Sequence, residues 1–445
     1  MTRVFAHPDQ AAFSSAKYEI PVLLFGRVQV GGPPNAVGNQ VRRQLARLDL
    51  PIEQSAYDFL AIALAVAAAD RFALRSAADD GFGRNIEVTV GLADPARWTP
   101  VAKKLERALG FLSGDQWHFN FVAGGDTVPS HKERSRLKNK VDLEGADEVC
   151  LFSGGMDSLI GAIDRIADGH RPLLVSRSTR GDGGYQTYLH GMLPEVPSLR
   201  INDDIRGELQ GEPSTRTRSI VFLALAACAA SAISRLHNDS IVPLIIPENG
   251  FISLNPPLTV RRIGALSTRT VHPHFISSLQ AIFDEVGIPA AIENPYFFKT
   301  KGEALRECRD QPLVTKLISK TTSCGKWKRY WQQCGRCVPC LIRRSAFHAA
   351  GIADETATSK HVGYRFDDLN DALRTDRDRA DIRAVSAAIR RVNGGDFGKW
   401  VIRGGPLPLD PTARNEHKDV ARRGVFEIDQ FLKDLGIDAL SLIHI

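Results

Sequence analysis

From Asp147 onward, short apolar runs alternate with helix-length segments, and few folds accommodate that alternation. Glu148–Phe152 reads as a strand, Leu159–Ala167 as a helix and Pro172–Ser176 as a strand. A helix near Gln186–Met192, a strand at Ser198–Ile201, a long helix at Thr217–Leu236 and a strand at Ile241–Ile246 continue the series. Strands that are apolar throughout and separated by helices form a parallel sheet covered on both faces. The expected class is therefore α/β with a doubly wound parallel sheet. Ligands of such sheets bind at the carboxyl ends of the strands.

The first strand of the series runs into Phe152-Ser153-Gly154-Gly155-Met156-Asp157-Ser158, and a helix follows. Two adjacent glycines remove the Cβ atoms that would keep a phosphate away from backbone N–H groups. The helix starting near Asp157 adds its positive dipole end at the same spot. Ser153 and Ser158 supply hydroxyl donors, and Asp157 suits a Mg²⁺ bridging to phosphate. A glycine turn with a helix-capping Ser or Asp is the plainer alternative, but the whole string in strand–loop–helix context favours a nucleotide site. No Gly-Lys-Ser/Thr follows, so this is not a Walker loop. Ser153 and Asp157 are expected to point at the nucleotide, so their loss should remove turnover and leave the fold intact.

Seven cysteines occur, and four crowd into Cys324, Cys334, Cys337 and Cys340 with nine, two and two residues between them. Cys-x-x-Cys steps let neighbouring thiolates meet one tetrahedral ion, and four thiolates close its shell, as in a structural Zn²⁺ site. Lys326, Lys328, Arg329, Arg336, Arg343 and Arg344 lie around it in sequence and can offset its negative charge. An iron–sulfur cluster or a redox pair would use similar spacing, but ferredoxin-type runs place a further Cys downstream, where this chain has Arg343 and Arg344. Cys308 is a weaker candidate for the fourth ligand, and Cys150 and Cys228 read as core residues.

The odd, clustered cysteine count argues against a disulfide framework and for a reducing, cytoplasmic location. The most apolar stretches, Phe59–Ala69 and Ile220–Ala230, fall short of the ~20 residues of a membrane span. A net charge of +6 suits ATP as well as nucleic acid. Three regions are expected: a mixed α/β extension over 1–140, a nucleotide-binding domain with the metal site over 141–355, and helices over 356–445. In the first, Ile20–Val30, Ile86–Val90 and Trp117–Val122 read as strands, Ala56–Leu74 and Val101–Leu112 as helices, and His131–Lys140 as a basic loop. In the last, Asp367–Leu373, Ala380–Val392 and Val420–Leu435 read as surface helices. Ser441–Ile445 is expected to be non-native sequence and belongs to none of these elements.

The Ser-Gly-Gly-Met-Asp-Ser string resembles the signature of the PP-loop ATP pyrophosphatases, with their adenine-nucleotide-alpha-hydrolase-like fold. That family joins AMP to a substrate oxygen, releases pyrophosphate and lets a nucleophile, often an amine, displace AMP. Residues 323–352, with Cys334-Gly-Arg-Cys337-Val-Pro-Cys340 and Arg343-Arg344-Ser345-Ala346-Phe347, resemble the zinc end of QueC, the 7-cyano-7-deazaguanine synthase family. Phe298-Lys299-Thr300-Lys301-Gly302-Glu303 is similar to that family's Lys-Thr-Lys-x-Glu segment, and Arg218–Ala226 to its arginine-led helix. The likeness spans about residues 147–355. The long flanking regions resemble the QueC-like QatC members of the Qat anti-phage defence systems.

The resemblance implies ATP, Mg²⁺ and Zn²⁺ as cofactors and a 7-carboxy-7-deazaguanine-like carboxylate as substrate. It implies an ATP site at Phe152–Ser158 with Arg218, catalytic roles for Asp157 and Lys301, and Glu248, Asn249 and Lys299 at the substrate. It also implies a partner protein from the same defence operon as recipient. Ile246–Pro257 departs from the Gly-Tyr-Pro-Asp-Cys element that QueC usually carries where the deazapurine should bind. Two other functions compete. A PP-loop tRNA-modifying enzyme would need redox-active cysteines or an RNA platform, and the chain shows no aromatic-rich basic strands. A non-catalytic scaffold would not need the intact loop.

Overall fold

The computed structural model describes residues 1–15, 18–28, 32–178, 183–258, 266–327, 331–357, 362–369, 376–392 and 397–437. The expected strand end at Val30, the cations Lys328 and Arg329, most of the Asp367–Leu373 helix and Ser441–Ile445 lie outside them.

Two sheets organise the chain. The second contains β6 (Glu148–Leu151), β7 (Pro172–Arg177), β8 (Ser198–Ile201), β10 (Val242–Ile245) and β11 (Ala290–Glu293). It is wholly parallel, in the order β11-β10-β6-β7-β8. The α/β class and the parallel sheet are therefore as the alternation implied. From β6 the chain steps outward to β7 and β8, then returns to place β10 on the other side of β6. That reversal opens a crevice above the carboxyl ends of β6 and β10.

The first sheet contains β1 (Thr2–His7), β2 (Ile20–Gly26), β3 (Asn35–Gly38), β4 (Asn85–Gly91), β5 (Gln116–Val122) and β9 (Arg206–Gly207), ordered β5-β4-β1-β2-β3-β9. β1 to β5 are parallel, and β9 closes the β3 edge antiparallel. β9 belongs to the stretch between β8 and the next helix, so the segment after β8 is stitched into the N-terminal sheet.

Two helices, Gln54–Phe72 and Arg218–Ser234, pack against each other, the former also on the first sheet and the latter on the second. Both are buried nearly all round, which is why neither shows an amphipathic stripe. Runs of alanine, at 67–69 in one and 226–227 and 229–230 in the other, permit close approach. One hydrophobic core extends from Val4 through both helices to Ala290. With its 3-10 extension to His237, the second helix is long and apolar enough to cross a membrane, contrary to the expectation from sequence. Its apolar surface is spent on the neighbouring helix and sheet, and 78% of its most apolar window is buried.

The other face of the second sheet is covered by Met156–Ala167, Gly183–His190, Gln311–Ile318 and Val338–Ala350. The C-terminal helices Asp376–Val392, Phe397–Val401 and Pro411–Asp434 build a further core with Phe251, Leu254, Val338 and Leu341. The expected basic loop begins instead as a helical turn, His131–Ser135, because Ser130 and Glu133 form a capping box and Glu133 pairs with Arg42.

Candidate functional site

Gly154 has φ +81°, and a Cβ there would lie 2.4 Å from the Tyr185 ring, so glycine is required on two counts. Gly155 is the N-cap of the Met156–Ala167 helix and brings no side-chain cap. The first N–H groups of that helix are thus left for an anion. Within the loop, Gly155 N–H donates to Ser153 Oγ (3.3 Å), Ser153 Oγ donates to Ser158 Oγ (3.1 Å) and Ser158 Oγ donates to the Gly155 carbonyl (3.1 Å). Two distant groups anchor the loop's carbonyls. Gln186 Nε2 donates to Ser153 O at 3.0 Å, and Thr322 N–H donates to Gly154 O at 3.2 Å.

The loop opens on a cleft of ≈ 280 Å³, where Ser153, Gly155, Met156, Asp157 and Ser158 face Glu248, Lys301, Thr322 and Pro339. Asp157 forms a buried ion pair with Lys301, their side chains 10% and 6% exposed. Asn249 Nδ2 lies 3.3 and 3.4 Å from the two Asp157 oxygens and 3.2 Å from Glu248 Oε1. The Asn249 Oδ1 accepts from Ile252 N–H (3.1 Å) and so caps the helical turn Gly250–Leu254. Asn249 therefore positions the two carboxylates. Burial, then the Asp157 charge, push the Glu248 pKa well above the carboxylate range, so Glu248 is a neutral acid. Sequence reasoning placed Asp157 toward the nucleotide only; the fold also makes it the counter-ion of a buried ammonium.

A narrower slot of ≈ 200 Å³ adjoins, sharing Ser153, Ser158, Pro247 and Glu248. Its other walls are Leu151, Phe222, Leu223, Ile246 and Val271, with Ser219 and Thr270 at the edge. Of the remaining expected site residues, Phe152 is 1% exposed and packs in the core below the loop. Arg218 begins its helix exposed, lines neither space and makes no hydrogen bond or ion pair among the described residues. Lys299 pairs with Glu307 at 3.0 Å and also lines neither.

The C-terminal helix Pro411–Asp434 grips the turn that carries Lys301. Thr300 caps that turn with Glu303, and Arg423 Nε donates to Glu303 Oε1 at 2.7 Å. Arg423 NH2 also donates to Phe298 O at 2.7 Å, and Thr300 Oγ1 donates to Glu427. Nothing in the local sequence around Arg423 or Glu427 signals this role; it arises only where the helix docks.

Cys324, Cys334, Cys337 and Cys340 converge in a buried group whose sulfurs lie within 4.8 Å of one another. Three S···S separations are 3.8, 3.9 and 3.5 Å, close to the about 3.8 Å edge of a tetrahedron with 2.3 Å Zn–S bonds. Backbone N–H groups of Lys326 and Cys334 point at Cys324 Sγ, and that of Cys337 at Cys334 Sγ, at 3.2–3.3 Å. The donor set fits zinc. Cys308 is elsewhere, in the core under the Met156–Ala167 helix, and Cys150 and Cys228 are core residues too. Among the expected cations, Arg343 is fully buried and donates to Thr321, Ser323, Ile318 and Thr356, with no carboxylate partner among the described residues. A tetrathiolate centre would supply the missing negative charge nearby. Lys326 pairs with Asp381, Arg336 stacks on Phe366 and Arg344 on Tyr364.

The metal segment and the phosphate loop are one assembly. Gln333, 0% exposed, receives Ser323 N–H and donates to the carbonyls of Thr321 and Val362, which sets Thr322 against Gly154. No family model matches the chain, and no curated protein matches it.

Proposed function

We propose that the protein is a QueC-like PP-loop ATP pyrophosphatase that adenylates a carboxylate and passes the acyl group to an amine. The observation that carries this reading is the meeting, at the reversal point of the parallel sheet, of the uncapped glycine loop with Asp157, Glu248 and Lys301. In this reading the triphosphate lies on the N–H groups at the start of the Met156–Ala167 helix, with Ser153 and Ser158 reoriented to donate to it. A substrate carboxylate oxygen attacks the α-phosphorus, the bond to the bridging oxygen breaks and pyrophosphate leaves. Its growing charge rests on the helix N-terminus and on Lys301, groups already fixed in place. The amine nitrogen then attacks the acyl carbon and AMP departs. Asp157 and Glu248 together suit a Mg²⁺, which would let Glu248 ionise and would neutralise phosphate charge. The cysteine centre suits a structural zinc that holds the Thr322 side of the cleft.

The apolar slot suits a flat heteroaromatic ring such as a 7-carboxy-7-deazaguanine, with Glu248 at its polar edge. The recipient amine, in this proposal, belongs to a partner protein of the same anti-phage defence operon, since 1–140 and the C-terminal helices add surface that a small-molecule synthase has no evident need for. No nucleic acid is invoked. ATP-dependent pyrophosphate release, tested with deazapurine carboxylates, is the decisive assay; none with any of them refutes the proposal. Intact-mass spectrometry of operon partners then separates protein ligation from formation of the free nitrile with ammonia.

A further inference from the structure

A second, smaller pocket lies on the other side of the phosphate loop, under the Gly183–His190 helix, and the proposed reaction does not use it. Its volume is ≈ 150 Å³, and Arg47, Ser176, Gln186, His190, Ser198 and Arg200 contribute to its walls. Among the described residues, no acidic side chain lines it. Arg47 reaches it from the N-terminal region, donating its Nε to Asn139 O at 2.8 Å, and has no carboxylate partner among the described residues. Arg200, on β8, donates to Gly183 O at 2.9 Å and to Thr187 Oγ1, and likewise has no carboxylate partner. His190 donates Nε2 to Val196 O at 3.1 Å. Two unpaired guanidinium groups around one small polar space call for an anion.

Gln186 narrows the choice. It is 3% exposed, and its Nε2 is committed to the Ser153 carbonyl at 3.0 Å. The amide cannot be flipped, because its oxygen would then face that carbonyl. Its Oε1 is buried and has no hydrogen-bond partner. Such orphan acceptors are uncommon in folded proteins and call for a donor. An anion that also carries a proton satisfies both demands. We propose that this pocket binds phosphate in a protonated form, its P–O–H donating to Gln186 Oε1 while its other oxygens accept from Arg47 and Arg200. Inorganic phosphate and a phosphate monoester share this chemistry. Gln186 holds Ser153, so an occupied pocket would stiffen the phosphate loop from behind; this coupling, unlike the binding itself, rests on the ATP-pyrophosphatase reading.

The test is calorimetric titration of the full-length protein with inorganic phosphate, phenyl phosphate and sulfate. A monoester loses its second proton near pH ~6, so at pH 7.5 inorganic phosphate should bind about tenfold tighter than phenyl phosphate, and the gap should close at pH 5.5. Sulfate, with no proton to give, should bind at least about tenfold more weakly than phosphate at both. Arg200→Ala and Arg47→Ala should each weaken phosphate by about tenfold or more, the loss of one charge-assisted bond. Gln186→Met should abolish the preference for phosphate over sulfate, with thermal melts confirming that each variant is folded. Absence of saturable phosphate binding overturns the proposal, as does equal binding of sulfate or retention in Arg200→Ala. Competition by a non-hydrolysable ATP analogue overturns it too, since the pocket would then be part of the nucleotide site. These outcomes do not depend on whether pyrophosphate is ever released.

Discussion

Replacing Asp157 with alanine should cost stability as well as turnover. Its carboxylate is the counter-charge of Lys301, and the two side chains are 10% and 6% exposed. Removing one member of a buried ion pair strands the other, which costs about 3–5 kcal/mol. Here the low end, about 3 kcal/mol, is expected, because Glu248 adjoins the pair and its proton is held in part by Asp157 itself. Once Asp157 is gone, Glu248 ionises more easily and takes over part of the ammonium's solvation. Asp157→Ala combined with Lys301→Met removes both charges, and should be at least about 1 kcal/mol more stable than Asp157→Ala alone. Glu248→Gln, which replaces a neutral acid with a neutral amide of the same shape, should change stability by less than about 1 kcal/mol. Urea unfolding followed by tryptophan fluorescence and circular dichroism measures wild type, Asp157→Ala, Lys301→Met, the double variant and Glu248→Gln. An Asp157→Ala variant within about 1 kcal/mol of wild type, or a double variant that simply adds the two single losses, would refute the buried-pair argument. Pyrophosphate release should be lost in every variant that lacks Asp157, and in Ser153→Ala, which should keep wild-type stability because Ser153 is exposed.

Metal analysis should find one zinc per chain, and Cys337→Ser should lower the unfolding midpoint sharply, because a closed thiolate site contributes folding free energy directly; iron with sulfide, or no metal, contradicts this. Gly154→Ala should destabilise by about 2–4 kcal/mol, combining a left-handed backbone penalty of about 1–2 kcal/mol with a clash against Tyr185, and should weaken ATP binding measured by titration. Stability should fall with acid between pH 6.5 and 5. Burial lowers the pKa of His272 to about 3 and of His417 to about 4, so over that window the unfolded chain binds protons that the fold refuses. Each contributes up to about 2 kcal/mol by pH 5; His272→Gln should flatten the urea midpoint against pH, and an unchanged slope contradicts the assignment.

What the sequence determined by itself is local. The Ser-Gly-Gly-x-Asp-Ser string sits between an apolar strand and a helix within a dozen residues, so its geometry follows from neighbours along the chain. The same holds for the cysteine spacing, of which three members lie within one loop and the first turn of the helix starting at Val338. The strand–helix alternation after Asp147 gave the parallel sheet, because burial on both faces leaves a strand uniformly apolar. The N-terminal sheet was less legible. β1 and β3 went unread, since Thr2–His7 and Asn35–Gly38 are short and carry polar residues that only pairing on both sides accommodates. Only the tertiary structure decided that Lys301, rather than Lys299, enters the cleft, and that Asn249 serves both a helix cap and two carboxylates. It alone joined Thr322 to Gly154, Gln186 to Ser153 and Arg423 to the lysine turn. Each of these is a contact between residues 33 to 168 positions apart in the chain, and no periodicity or spacing encodes which distant partner a buried polar group will find. That choice is made when the elements pack, because a buried donor or charge must be satisfied by whatever the fold has brought beside it.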